Sequence, residues 1–280
     1  MTTDPLIIWA FALRLALNAA TLLAIGLAAA AAMGVIRPDE RRGWRGAVRT
    51  LAALVIVLAG LRGLLGAVQL NGGLEGALSP DLLGMVGRFQ GPSLCALIAG
   101  AALTALGGRL APILGAIMLA SGYGLIGHTR ALEAPGPAPL VAALHVMIAG
   151  VWLAAPLVLW PRAGVSDARL AERLTRFGAL ARWLVPLLFI GGGWLALRLA
   201  GGFEPLVGST YGRLLLAKLG AAGIALALGA ANAFLVTRAV AEDGLRGRRL
   251  LKLTLGLDAL LFTAALMAIS AATSFVGPPG

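Results

Sequence analysis

The sequence predicts an all-α, polytopic membrane helix bundle of eight transmembrane helices with both termini on the outer side. Three observations predict it. The 280 residues are 59% hydrophobic and only 12% charged, with a mean hydropathy of +0.91, whereas a soluble domain carries about 25% charged residues to wet its surface. Apolar runs long enough to cross roughly 30 Å of hydrocarbon recur along the chain. The basic residues, finally, concentrate in alternate connectors, which is the signature of membrane topology.

The spans read as Leu6–Ile36, Ala47–Leu70, Pro92–Gly107, Leu110–Gly127, Pro139–Trp160, Gly178–Ala200, Gly212–Arg238 and Leu253–Val276. The third and fourth meet at Gly107-Gly108-Arg109, and Gly-Gly followed by Arg and then Pro112 predicts a tight turn rather than one long helix. Met1–Pro5 contains an acid and no basic residue, and the first apolar run exceeds a signal-peptide core, so it reads as a retained span. The whole chain, 1–280, reads as a single transmembrane domain.

Orientation follows from the connectors. The first holds Arg37, Arg41, Arg42, Arg45 and Arg49, and the third Arg109. The fifth, with the start of the next helix, holds Arg162, Arg169, Arg173, Arg176 and Arg182. The seventh and its borders hold Arg238, Arg246, Arg248, Arg249 and Lys252. These are 16 of the 23 basic residues, and they place the odd connectors inside and the termini outside. The net charge of +11 is therefore read as topology. Nucleic-acid binding is not expected, because that needs a folded basic face in polar surroundings. On the outer side, Ser79-Pro80-Asp81 has the cap, first-turn proline and acid of a helix start, and predicts a short interfacial helix near 80–89. Ala131–Pro137 and Gly201–Thr210 read as loops. The 39 glycines let helix backbones approach in lipid, and no phosphate-binding motif accompanies them. Cys95, the only cysteine, excludes an intrachain disulfide.

Chemistry has few carriers. His128 ends the fourth span and His145 lies near the start of the fifth. Antiparallel neighbours joined by a short loop would bring both imidazoles to similar depth near the outer face. Imidazole suits copper, zinc and iron, so the pair is a candidate metal site, although two residues at the water interface need no ligand. Met85 could supplement it from the outer connector, while Met33, Met147 and Met267 read as core filler. Arg14 and Asn18 share one face of the first span, Arg62 and Gln69 one face of the second, and Tyr211 and Lys218 one face of the seventh, with Arg213 near its outer start. Ionisable groups in a span face a cavity or partner, so Arg14 and Arg62 are expected to pair with Asp4, Glu75 or Glu204. Asp258, the one acid well inside a span, reads as an ion-pair partner or a proton relay, the ion pair being the simpler assignment. Outer cations repel a metal and attract an anion, such as a haem propionate, lipid phosphate or acidic side chain. No catalytic constellation is visible, so an enzyme is not expected.

Several segments resemble the copper resistance protein D (CopD) family of bacterial inner-membrane proteins. They are Gly127-His128, His145 with Trp152-Leu153, Arg176-Phe177, Thr210-Tyr211-Gly212-Arg213-Leu214-Leu215 with Lys218, and Asn232. The resemblance is strongest over 120–280. It implies copper transport or handling at the inner membrane, His128 and His145 as copper ligands, and a periplasmic CopC-type copper-binding partner. Tyr211, Arg213 and Lys218 would organise the seventh span next to that site through an acidic partner; Arg14 and Asn18, singled out by their place in the first span, are further supporting polar residues. The residues also allow a b-type haem with the same histidines as axial ligands, or a membrane scaffold without a ligand.

Overall fold

The computed structural model describes residues 5–276 except 109, 127–131 and 133. The described residues are helical with no strand: α1 (Pro5–Ala32), α2 (Arg41–Asn71), α3 (Pro80–Leu106), α4 (Ala111–Gly124), α5 (Ala138–Leu153), the short α6 (Ala155–Val158), α7 (Asp167–Ala200), the short α8 (Phe203–Gly208), α9 (Thr210–Ala231), α10 (Thr237–Glu242) and α11 (Gly244–Ala271). A π-helical turn, Asn232–Val236, joins α9 to α10, and another, Ala272–Val276, extends α11. Seven helical stretches are long and apolar enough to cross a membrane, and the fourth expected span is the shorter apolar helix α4.

Helix starts follow the chemistry of their first residues. Ser166, Ser209 and Asp243 cap α7, α9 and α11 by accepting a backbone N–H three residues on, satisfying donors a helix start leaves open. Gly72 and Gly201 close α2 and α7 with φ of 74° and 83°, a conformation that favours glycine.

Boundary expectations need correction, among them Gly201–Thr210, which holds the short helix α8 rather than being all loop. The short interfacial helix near 80–89 is not separate: residues 80–106 form one helix that runs through Pro92. A proline in a membrane helix loses a single backbone bond, which neighbouring groups can compensate. Similarly, α7 begins at Asp167 rather than Gly178, because the basic connector is itself helical and held by ion pairs.

Small residues set the packing. α1 and α5 cross where Gly26 meets the Gly150 carbonyl and Ala154 Cβ. α3 and α4 touch at Gly100 and Gly115, where an added Cβ on Gly115 would lie 2.6 Å from the Gly100 oxygen. α1 packs against α2, α4 and α5 and also reaches α11. One buried apolar cluster joins α1 to α2, α3 and α4 through Leu17, Val55, Leu97 and Leu119, and a second joins the end of α1 to α6, α7, α10 and α11 through Leu27, Val158, Leu170, Val240 and Leu251.

The second cluster lies beneath an arginine-rich end. There Arg173, only 8% exposed, binds Glu40 at 2.5 Å and donates to the Val158 carbonyl at 3.0 Å. Arg37 and Arg176 share Glu172, Arg248 binds Asp167 at 2.6 Å, and Arg162 stacks 4.2 Å above Trp44. Removing one partner of a buried pair strands the other. Arg173→Met is therefore expected to cost about 3 kcal/mol, and the double variant with Glu40→Gln less than that. Thermal unfolding of both in detergent checks this; equal losses would show that the pair is not what matters.

Candidate functional site

His145 sits on the second turn of α5 and turns toward α7. Its ring lies flat enough on the Gly192 backbone that a Cβ there would be 2.9 Å from its Cε1 and 3.4 Å from its Nδ1. The Leu188 backbone lies within hydrogen-bonding reach of the ring, and the Lys218 ammonium of α9 acts on it electrostatically. Nδ1 is enclosed and has no hydrogen-bond partner among the described residues. A buried polar atom without a partner is uncommon and calls for an explanation, a ligand being one. The structure thus brings together His145 and Lys218, which the sequence placed on different spans with no rule to join them. His128 lies outside the described residues, so the geometry of the histidine pair does not enter.

The ring's position depends on the missing side chain at Gly192. Gly192→Ala is expected to push the imidazole off its seat, and if His145 is the copper ligand that the family resemblance implies, to weaken copper binding on the order of tenfold, the scale of losing a supporting contact at a metal site. A competition titration against a copper chelator measures it. Unchanged affinity would show that the seat does not matter.

A second polar group lies among α1, α2 and α4. Arg14 donates to the Thr273 carbonyl at 2.6 Å, the Tyr123 hydroxyl donates to Asn18 Oδ1 at 3.0 Å, and Arg62 lies within electrostatic reach of both Arg14 and Tyr123. The expected acidic partners are not found. Among the described residues neither arginine pairs with Glu75 or Glu204, while Asp4 lies outside them; all the ion pairs sit at the arginine-rich end instead. Arg14 is instead satisfied by a backbone carbonyl of the π-helical turn that follows α11. Tyr123 and Thr273 were missed because neither belongs to a charged motif.

The remaining supporting residues divide. Tyr211, 1% exposed, is buried with Leu206, Leu215 and Ala200 where α7, α8 and α9 meet. Arg213 is exposed and reaches Thr210 Oγ1 at 3.4 Å rather than an acid. Asn232 begins the π-helical turn: its carbonyl accepts from Thr237 Oγ1 at 2.8 Å, and its side chain accepts from Thr254 at 2.5 Å, tying α9 to α11. One turn along α11, Asp258 is 2% exposed, its Oδ1 lacks a partner, and it forms no ion pair among the described residues. This corrects the simpler expectation for it. Trp152 packs against Gly229 and meets Phe262 edge-on at 6.5 Å, closing α5 against α9 and α11.

Among the described residues no three His, Cys, Asp or Glu side chains come together as a metal cluster. What the fold defines is a polytopic membrane protein with sparse polar groups held between its helices. Residues 171–272, running from α7 to the end of α11, match the model of the CopD family, copper resistance protein D. The match supports membership of this family, and with it a general role in copper resistance or handling. It takes in Gly192, Tyr211, Lys218, Asn232 and Asp258; both histidines precede it. No curated protein and no solved structure matches the chain.

Proposed function

We propose that the protein carries copper into or across the bacterial inner membrane, receiving the ion at the periplasmic face on His128 and His145. The observation that carries this reading is the unpartnered Nδ1 of His145, enclosed against the first helix of the family-matched segment. A neutral imidazole nitrogen is a good copper ligand, and His128 supplies a second from across the short connector. Lys218 beside the ring opposes a bound cation. That weakens the hold on the ion, which suits a carrier that must release what it takes up.

Eight crossings with both termini periplasmic support the same direction of approach. In this reading α4, with 14 residues, is the return pass, and its antiparallel run against α3, from Gly115 at Gly100 to Gly122 at Leu97 and Ser93, supports that. The 16 inner cations then lie in the cytoplasm, and the chain 1–280 acts as one transmembrane unit. A periplasmic CopC-type protein is the natural donor.

Metal analysis and an absorption spectrum of the purified protein test the proposal together. Copper in stoichiometric amount and no Soret band are expected. A Soret band without copper would give the same histidines to haem, and neither signal would leave a scaffold without a ligand.

A further inference from the structure

The arginine-rich end contains a cavity lined by none of the candidate copper residues. Its origin is a difference in helix length. Gly63 of α2 faces Leu94 of α3, and Gly66 faces Gln90, so the antiparallel register sets Leu106, the last residue of α3, opposite residues 50–51 of α2. The first turns of α2 therefore overhang the α3–α4 turn by about 13 Å at 1.5 Å per residue. The overhang leaves a space of about 200 Å³ between α1, α2 and the turn.

Its walls are of two kinds. Arg41, Arg45 and Arg49, spaced i, i+4, i+8 on one face of α2, line one side, and Ala31, Leu106 and Ile113 line the apolar remainder. Among the described residues no Asp or Glu lines it. Two acids near it are engaged elsewhere, Glu40 with Arg173 and Glu172 with Arg37 and Arg176, while the exposed Asp39 does not line the cavity. Arg41 donates one N–H to the Ala31 carbonyl at 2.6 Å while its Nε is enclosed without a partner. Arg45 and Arg49 are in no ion pair among the described residues.

The geometry points to a binding site for an anionic phospholipid in this cavity, its phosphate on Arg41, Arg45 and Arg49 and its acyl chain along Ala31, Leu106 and Ile113. Guanidinium groups bind phosphate oxygens through paired N–H bonds, and basic pockets between membrane helices are suited to anionic headgroups. The charge selects among lipids: phosphatidylcholine has the same phosphate, but its ammonium group would meet three unneutralised arginines. The apolar wall selects lipid over free phosphate, because an inorganic ion has nothing to place there.

The site is tested on the full chain purified in detergent, delipidated and then re-exposed to vesicles of phosphatidylglycerol or of phosphatidylcholine, with bound lipid read by native mass spectrometry. Wild type is expected to retain phosphatidylglycerol in preference. Arg45→Gln with Arg49→Gln is expected to lower that retention roughly twenty-five-fold, each arginine near a headgroup contributing about a factor of five. Arg246→Gln with Arg249→Gln, two exposed arginines at the same end, should leave it unchanged. Ala31→Phe, which fills the apolar wall and keeps every charge, should also release the lipid. Equal retention of the two lipids by wild type, unaltered retention in Arg45→Gln with Arg49→Gln, or displacement by inorganic phosphate alone would overturn the site. Copper content is read in parallel and is expected to be unaffected by the arginine changes, so failure here and failure of the copper proposal remain distinguishable.

Discussion

Protein in which His128 and His145 are both replaced by alanine is expected to purify without copper, while its helical content and its elution as a single species stay those of wild type. The reasoning runs from the ligand inventory. The chain has two histidines and one cysteine, Cys95 is exposed, and the described residues hold no alternative cluster of three ligating side chains. Thioethers remain, but Met147 packs against the core formed by α1, α2, α3 and α4, so it is not free to take over. Removing the imidazoles leaves no comparable set of nitrogen donors, and the loss should be complete rather than graded. Each single replacement is expected to leave weak residual binding. The check is copper per chain by elemental analysis after equilibration with excess metal and desalting. Full copper content in the double variant would end the histidine assignment and turn attention to the methionines and to Asp258.

The largest structural effect is expected from Gly26→Leu. At this position α1 lies directly against α5, and even a Cβ would stand 2.5 Å from Ala154 Cβ and against the Gly150 carbonyl. Most of those atoms are backbone or the first atom of a side chain, so nothing flexible can give way. The helices must separate, and α1 is the element that also packs on α2, α4 and α11. Forcing bulk into a tight contact costs typically 1–3 kcal/mol and sometimes more; about 3 kcal/mol or above is expected here. Gly223→Ala on α9 is the control, since nothing lies within 4 Å of its Cβ position. Thermal unfolding in detergent, with the monodisperse fraction from size exclusion, should show a large drop for the first and almost none for the second. Equal behaviour of the two would mean that the α1–α5 crossing does not support the bundle.

The sparse charges and long apolar runs are local properties, and they were sufficient to predict the helical bundle. Hydropathy registers a span without knowledge of its neighbours, which is why every expected span has a helix over most of its length. Helix ends at the arginine-rich side were less legible. The connector before α7 looks like a polar loop in isolation, yet it is helical because Asp167, Glu172 and Arg173 find partners on other elements. The π-helical turn at Asn232 was invisible for a related reason: it depends on Thr254 from α11.

The candidate site was legible as a set of residue types and not as an arrangement. His145, Lys218, Arg14 and Asn18 stand out because polar groups in a span are costly and few. Which of them meet is a matter of how each helix is rotated about its axis. Several of these helices are apolar on every side, so the sequence does not mark the face that turns inward. By itself the sequence determined that the chain is a helical membrane protein, where its apolar helices lie, and which side chains could do chemistry. Only the tertiary structure decided that Gly192 makes the seat for His145, that Lys218 rather than an acid stands beside it, and that α2 overhangs a cavity of arginines, because each rests on helix rotation and register fixed by contacts between distant segments.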